Sequence, residues 1–349
     1  MKKLLLFVFV VNLIIAVISC SKKENPPTPI DTRQVAWVVG GPDTAGQGVI
    51  LFTENGGTTW VRQGDPSLLS HVSLTNVWSI NKQNVWIIGT GKTILHTVNG
   101  GTTWPQVPAP SVPATADLYS ISIVDQVNIW ISGDRGTVYS SPDDGITWTV
   151  YDTAFFHNGL MQGIYAITPH TIYVAGQYVS TKGARGFLGV TNDGGATWDA
   201  IELPYNYNRN LWIGVNATGL YNVIVYGETG HYATSQDGGV TWECDSIYPS
   251  GDINDLIMLT PNLYWAACDY DEIYRTPDGG ATWIRQTAPP PGNIFLTGID
   301  AFDTQTALCL GGSASSNLGK IVKTMNGGST WTLNDTTNFL VSKVSTGKN

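Results

Sequence analysis

Charge, cysteine and helical periodicity are all scarce in this chain, and each shortage excludes something. Only 13% of the 349 residues are charged, against 42% apolar and 11% aromatic. That much apolar material suits a large core and excludes a disordered chain. There are four cysteines, Cys20, Cys244, Cys268 and Cys309, and none stands at C-x-x-C spacing, so neither a zinc site nor a disulfide framework is indicated. The five histidines, His71, His96, His157, His170 and His231, are scattered, and the chain has no G-x-S-x-G, H-E-x-x-H or P-loop. No stretch sustains a helical period, so the expected fold class is all-β. Long apolar runs are missing too: the longest, Leu4 to Ile18, has fifteen residues, where a membrane span needs about 20.

That short run has a different meaning. Lys2 and Lys3 precede it and Val17-Ile18-Ser19-Cys20 closes it, so residues 1–19 read as a signal peptide. The closing residues resemble the bacterial lipobox, which implies Cys20 as the lipid-bearing new N-terminus. The polar, proline-bearing stretch that follows completes a tether over residues 20–34. A bacterial cell-envelope location is expected, at the outer membrane on its periplasmic or surface side, with the membrane touched only through the lipid. Loss of residues 1–19 removes two of the 18 basic side chains and none of the 27 acidic ones, leaving a net charge of −11. Such a surface repels phosphate backbones and excludes nucleic acid, while basic or neutral partners are favoured.

What the chain has in abundance is a repeated string. TENGGTTW, TVNGGTTW, SPDDGITW, TNDGGATW, SQDGGVTW, TPDGGATW and TMNGGSTW end at Trp60, Trp104, Trp148, Trp198, Trp242, Trp283 and Trp331, spaced by 44, 44, 50, 44, 41 and 48 residues. A period in the forties made of β-type residues predicts a propeller blade of four strands, A to D. The second unit shows them at 74–80, 84–90, 93–98 and 102–107, each β-branched or aromatic between turn residues. The second strands align as AWVVG, VWIIG, IWISG, IYVAG, VIVYG, YWAAC and ALCLG, apolar throughout and so buried on both faces. In that alignment Cys268 and Cys309 share one side-chain parity and point the same way round the ring. They and Cys244 read as small core residues. The first unit lacks a strand A, and a spare strand stands at 339–345. The prediction is a single seven-bladed β-propeller over residues 35–345, closed by the C-terminal strand, with a tail at 346–349.

Each fixed position of the string has a mechanical reason. Asn55, Asn99, Asp143, Asp193, Asp237, Asp278 and Asn326 are expected to accept backbone N–H groups two residues on. The glycines permit positive φ, the hydroxyls tie the strand ends, and each Trp packs its turn onto its own blade. Three of the seven copies carry neutral Asn and the Ca-loop spacing is absent, so the string is structural and no metal or other cofactor is expected. It resembles the Asp box, or BNR repeat, of sialidases, sortilin-type receptors and photosystem II stability/assembly factor-like propellers, over about 310 residues. Short blades with one box each look most like the assembly-factor group, which implies protein binding. The sialidase resemblance implies an arginine triad and an Arg-Ile-Pro motif; none of the seven arginines begins that motif.

In propellers the B–C and D–A loops share the face opposite the boxes. Collecting them gives a candidate binding rim of Asp134, Arg135, His157, Tyr205, Tyr207, Arg209, Glu228, His231, Asp269 and Asp271, with Phe155 and Phe156 beside it. Exposed aromatics among polar groups are a common grip for protein segments or glycans. The B–C segments QYVSTKGARG and GGSASSNLGK are enlarged, which also points to that face. The expected function is a non-enzymatic, lipid-anchored scaffold for another envelope or secreted protein. The alternative is a glycan-binding or glycoside-hydrolysing propeller, with Glu228 and Asp269 as the carboxylate pair.

Overall fold

The second strand of each unit is apolar without alternation, and it is buried without alternation too: Ala36–Gly40, Val85–Gly89 and Tyr264–Cys268 are buried at every position. Such a strand needs cover on both sides, which neighbouring blades supply. The computed structural model describes residues 34–111, 115–151, 155–156, 159–180, 183–203, 210–247, 251–290, 292, 294–313 and 318–347. Among them, 27 strands form seven antiparallel sheets, six of four strands and one of three. This is the expected seven-bladed ring.

Closure follows the expected route. The C-terminal strand, Val341–Thr346, pairs antiparallel with Ala36–Gly40 from Ala36↔Thr346 to Gly40↔Val341 and becomes the innermost strand of blade 1. One expected strand is curtailed. The fourth strand of blade 2, read at 102–107, shrinks to a single bridge, Leu95↔Gln106, flanked by hydrogen bonds from His96 N–H to Pro105 O and Val107 N–H to Ile94 O. Pro105 has no N–H to offer the ladder.

The core is divided among the gaps between blades. Seven clusters of buried apolar residues each draw on two adjacent blades. Cys268 lies in the cluster between blades 5 and 6 and Cys309 in that between blades 6 and 7. Each therefore faces its preceding blade.

The boxes serve these gaps, which corrects two expectations. Each box tryptophan packs against the preceding blade: Trp60 Nε1 donates to Asn334 Oδ1 of blade 7 at 3.1 Å, Trp331 to Gln286 Oε1 of blade 6 at 2.7 Å, and Trp283 to Tyr232 Oη of blade 5 at 3.2 Å. The fifth-position glycine has positive φ in every box, and in six of the seven a Cβ there would run into the preceding blade, 1.9 Å from Gln63 Oε1 at Gly101 and 2.4 Å from Tyr151 at Gly195. The second correction concerns the hydrogen bonds. Its N–H, two residues beyond the Asp or Asn, goes to the leading Ser or Thr hydroxyl, as in Gly57 to Thr53 Oγ1 at 2.9 Å. The side-chain Oδ1 of the Asp or Asn instead accepts the N–H four residues on, as in Thr197 N–H to Asp193 Oδ1 at 2.9 Å. Asp and Asn interchange because the threonine hydroxyl can reverse. It donates to Asp237 Oδ2 at 2.6 Å but accepts from Asn99 Nδ2 at 2.9 Å.

The innermost strands carry a feature with no motif of its own. All seven have a register shift within their first four residues, as between Leu74 and Asn76 or Ile253 and Asp255. This β-bulge turns its extra residue towards the axis. It also explains the glycine that closes the aligned five-residue segment in six of the seven second strands. A Cβ at Gly40, Gly89, Gly133, Gly176, Gly227 or Gly311 would come within 2.0–2.5 Å of the carbonyl oxygen just before the bulge. Below it, polar side chains reach across to the next blade. Ser120 Oγ accepts from Ile164 N–H, Ser122 Oγ from Ala166, Asn216 Oδ1 from Met258, Asp300 Oδ2 from Thr346 and Ser345 Oγ from Ser79, at 2.8–3.3 Å. Asp255 joins four blades: it accepts from Tyr226 Oη, from its neighbour Leu256 N–H, from Ile299 N–H and from Lys343 Nζ on the closing strand.

Deleting residues 338–349 removes that strand and Lys343 together, and should lower the melting temperature by more than about 10 °C, given roughly 2 to 4 °C per kcal/mol for a chain of this size; an unchanged calorimetric melt contradicts closure. Hydrogen bonding by Thr197 and Thr241 holds the carboxyls of Asp193 and Asp237 down at about 2, below the ordinary 3.8. A lowered carboxyl stabilises the fold above its unfolded value and loses that contribution as pH falls towards 2. The double change Asp193→Asn and Asp237→Asn should leave the melt unchanged at pH 6 and lessen its fall between pH 4 and pH 2, read by circular dichroism.

Candidate functional site

The loop face repeats a single turn. In blades 2, 3, 5 and 6 the B–C connection is a two-residue turn with both central residues left-handed: Gly91-Lys92, Arg135-Gly136, Thr229-Gly230 and Tyr270-Asp271. This is the turn that matches the twist of a tight hairpin. The residue before each pair is Thr90, Asp134, Glu228 or Asp269, so the fold places three of the sequence-picked carboxylates at equivalent positions. In blade 6 both central residues are bulky or β-substituted, and Tyr270 is held left-handed with its ring 55% exposed, a conformation glycine adopts far more readily.

A second row of acids, which sequence reading missed, stitches the turns together. Asp117 and Asp252 stand just before the innermost strands of blades 3 and 6. Each accepts from the preceding blade's turn, Gly91 N–H to Asp117 at 2.9 Å and Thr229 N–H to Asp252 at 2.8 Å. Each donates its own N–H to its own blade's turn acid, Asp134 at 3.0 Å and Asp269 at 3.2 Å. The only trace in the sequence is an acid immediately before the A strand.

The picked residues divide into three groups. Asp271 is committed to the framework, together with its neighbour Glu272. Asp271, 2% exposed, binds the ammonium of Lys320 from blade 7, and that Nζ also reaches Ala288 O and Pro290 O. Glu272 pairs with Arg285 at 2.6 Å and accepts from Tyr274 Oη. Asp134 and Arg135 form a loose exposed pair at 3.7 Å, and His231 turns back onto Thr229 Oγ1 and Glu228 O. Glu228 and Asp269 remain, neither of them in an ion pair among the described residues. Cys20, His157, Tyr205, Tyr207 and Arg209 lie outside the described residues. Phe156, expected on the rim, is fully buried, packed edge-on against Phe187 and Trp198.

These elements meet at the axis. A cavity of about 620 Å³ runs between the seven innermost strands. At its loop-face end lies a recess of about 410 Å³ lined by Thr75, Asp252, Asn254, Asp269, Phe295, Thr297 and Ser342. Phe295 is half exposed, while Asp269 is only 8% exposed and accepts from Asn254 Nδ2 at 2.8 Å. Gly251 lets the incoming loop lie directly on Asp269, where a Cβ would come 2.5 Å from the Asp269 Cβ. Burial, and then the Asp252 charge, push the Glu228 carboxyl above its ordinary value. Among the described residues no group of three or more His, Cys, Asp or Glu side chains could hold a metal ion.

The ring, its boxes and its borrowed strand define the class: a seven-bladed Asp-box β-propeller. Within it, the chain resembles the photosystem II assembly factor. Residues 29–181 match the family model described as photosynthesis system II assembly factor YCF48. YCF48 from Cyanidioschyzon merolae is similar at 18% identity over 81% of this chain and 94% of that one, with a TM-score of 0.59. YCF48 bound to D1 peptide is similar at 16% identity over 75% and 81%, with a TM-score of 0.59. The GH74 xyloglucanase from Xanthomonas campestris reaches a TM-score of 0.60 at 15% identity over 85% of this chain, which spans about half (55%) of that enzyme. At these identities the likeness to solved structures is one of fold. No curated protein matches the chain.

Asp252→Asn should bring the Glu228 carboxyl down towards its ordinary value without restoring it, since burial remains; carbon-detected NMR titration of the side-chain carboxyl reads this. An unmoved Glu228 contradicts the coupling.

Proposed function

We propose that the chain is a non-catalytic propeller that binds a segment of another protein at the loop-face recess, held in the bacterial cell envelope by a lipid on Cys20. The observation that carries the reading is the recess itself, where a half-exposed Phe295 and the carboxylates of Asp252 and Asp269 border a cavity of about 410 Å³. Aromatic anchors beside polar groups are the usual composition of a binding hot spot. The resemblance to YCF48, seen in complex with a D1 peptide, supports a protein ligand. Gln34, where the described chain starts, bonds through its carbonyl to Gly56 N–H in the box of blade 1, on the face opposite the recess.

Catalysis is disfavoured by the chemistry of the pair once considered for it. Glycoside hydrolysis needs one carboxylate free to attack or to activate water and a second to protonate the leaving group. Asp269 is buried and occupied by Asn254 and the Asp252 N–H.

A photocrosslinking residue at Phe295 in living cells should capture a discrete protein, and Asp252→Asn with Asp269→Asn should reduce that capture about tenfold, whereas the same probe at Val61 on the outer strand should capture nothing in common. Equal capture from both positions, or a glycan retained on an array in place of any protein, contradicts the reading. For the anchor, metabolic palmitate labelling should disappear in Cys20→Ser; persistent labelling contradicts it.

A further inference from the structure

Acidic groups at the loop face fall into two sets. Asp134 has Arg135, Asp271 has Lys320 and Glu272 has Arg285. Among the described residues, Glu228, Asp252 and Asp269 have no cationic partner and meet only neutral donors or none: the N–H of Thr229 at Asp252, and Asn254 and the Asp252 N–H at Asp269. These three sit together at blades 5 and 6, and two of them line the recess. A buried carboxylate without a counter-charge is destabilising even when hydrogen-bonded, and Asp269 is 8% exposed. The fold therefore leaves a deficit of positive charge at the mouth of the cavity.

On the protein-binding reading above, we propose that the occupant is a basic protein segment, with one lysine or arginine side chain seated in the recess, its cation on Asp252 and Asp269 and its alkyl stem along Phe295. Three features select this occupant over a neutral one. A cation ends the deficit, whereas an uncharged peptide or a sugar would desolvate the carboxylates further and compensate nothing. Lysine and arginine combine an apolar stem with a charged head, matching a recess whose one wall is an exposed phenyl ring and whose other is carboxylate. The ring face itself adds attraction for the cation. Farther out, the acidic balance of the whole chain, 27 acidic against 18 basic side chains, draws a basic segment towards the site at low salt.

The hydroxyls of Thr75, Thr297 and Ser342 close the remaining side of the recess. Thr75 and Thr297 already donate to Leu118 O and Val341 O in the following blades. They keep lone pairs for a further donor, and an ammonium or guanidinium brings several donors and no acceptor. An acidic ligand would find no donor among the charged groups of this wall.

The test is to pan a random dodecapeptide display library against the full propeller, then to measure the enriched peptides by fluorescence anisotropy. The expected result is enrichment of peptides bearing Lys or Arg next to an apolar residue. Their affinity should drop at least tenfold in Asp252→Asn/Asp269→Asn, and also when ionic strength rises from about 50 mM to about 500 mM. Because Asp269 is buried, Glu228→Gln and Phe295→Ala, at positions more open to solvent, are measured alongside and should each weaken binding with an unchanged melt. Enriched peptides that are acidic or uncharged, or basic ones that bind all variants equally, overturn the inference and leave the protein-binding reading standing. A library that yields no binder overturns both.

Discussion

An innermost propeller strand has one edge with no strand to pair with, and everything about this ring depends on how those edges are satisfied. An open row of N–H groups at the axis would be a template for any passing strand. Here the partner of an edge N–H is a side chain from the blade before it. Ser120, Ser122, Asn216, Asp255, Asp300 and Ser345 each accept a backbone N–H one blade ahead. Because the acceptor is short and the N–H is fixed, these contacts set the rotation from one blade to the next. They also dictate that the axis be polar, which is why the cavity is available to water and charge and not packed like the gaps between blades.

Those gaps carry the apolar half of the same arrangement. A sheet buries its face only against another layer, so no blade is stable alone, and each box is the device that brings the next blade home. Its glycine lets the turn touch the blade behind and its indole fills the angle between the two, often with a hydrogen bond from the ring nitrogen. Seven such joints share the core, and the closing strand makes the first joint the same as the others. Asp255 gathers four blades at one carboxylate, including the closing strand through Lys343.

Much of this was legible in the residues. The count of blades, the doubly buried second strands, the borrowed C-terminal strand and the common heading of Cys268 and Cys309 all follow from repeats and parity, because backbone periodicity is written directly into the order of side chains. What a box does was only half legible: sequence shows that a Trp follows the turn, but not that its neighbour lies about 40 residues back in the previous blade. The bulge was invisible, since its extra residue is Thr75 in one strand, Tyr119, Gln162 or Ile213 in others, and no residue type is required of a side chain turned to the axis. At the loop face, position in the turn could be inferred, so Glu228 and Asp269 were found. Commitment could not: Asp271 beside them is bound to Lys320, 49 residues away, and Asp252 looked like any acid ahead of a strand.

The borrowed strand has a bearing on how such a chain comes to be folded at all. Residues 36–63 are made well before Val341–Thr346, so the opening sheet waits, one strand short, until the six other blades have emerged. Assembly cannot finish in the order of synthesis.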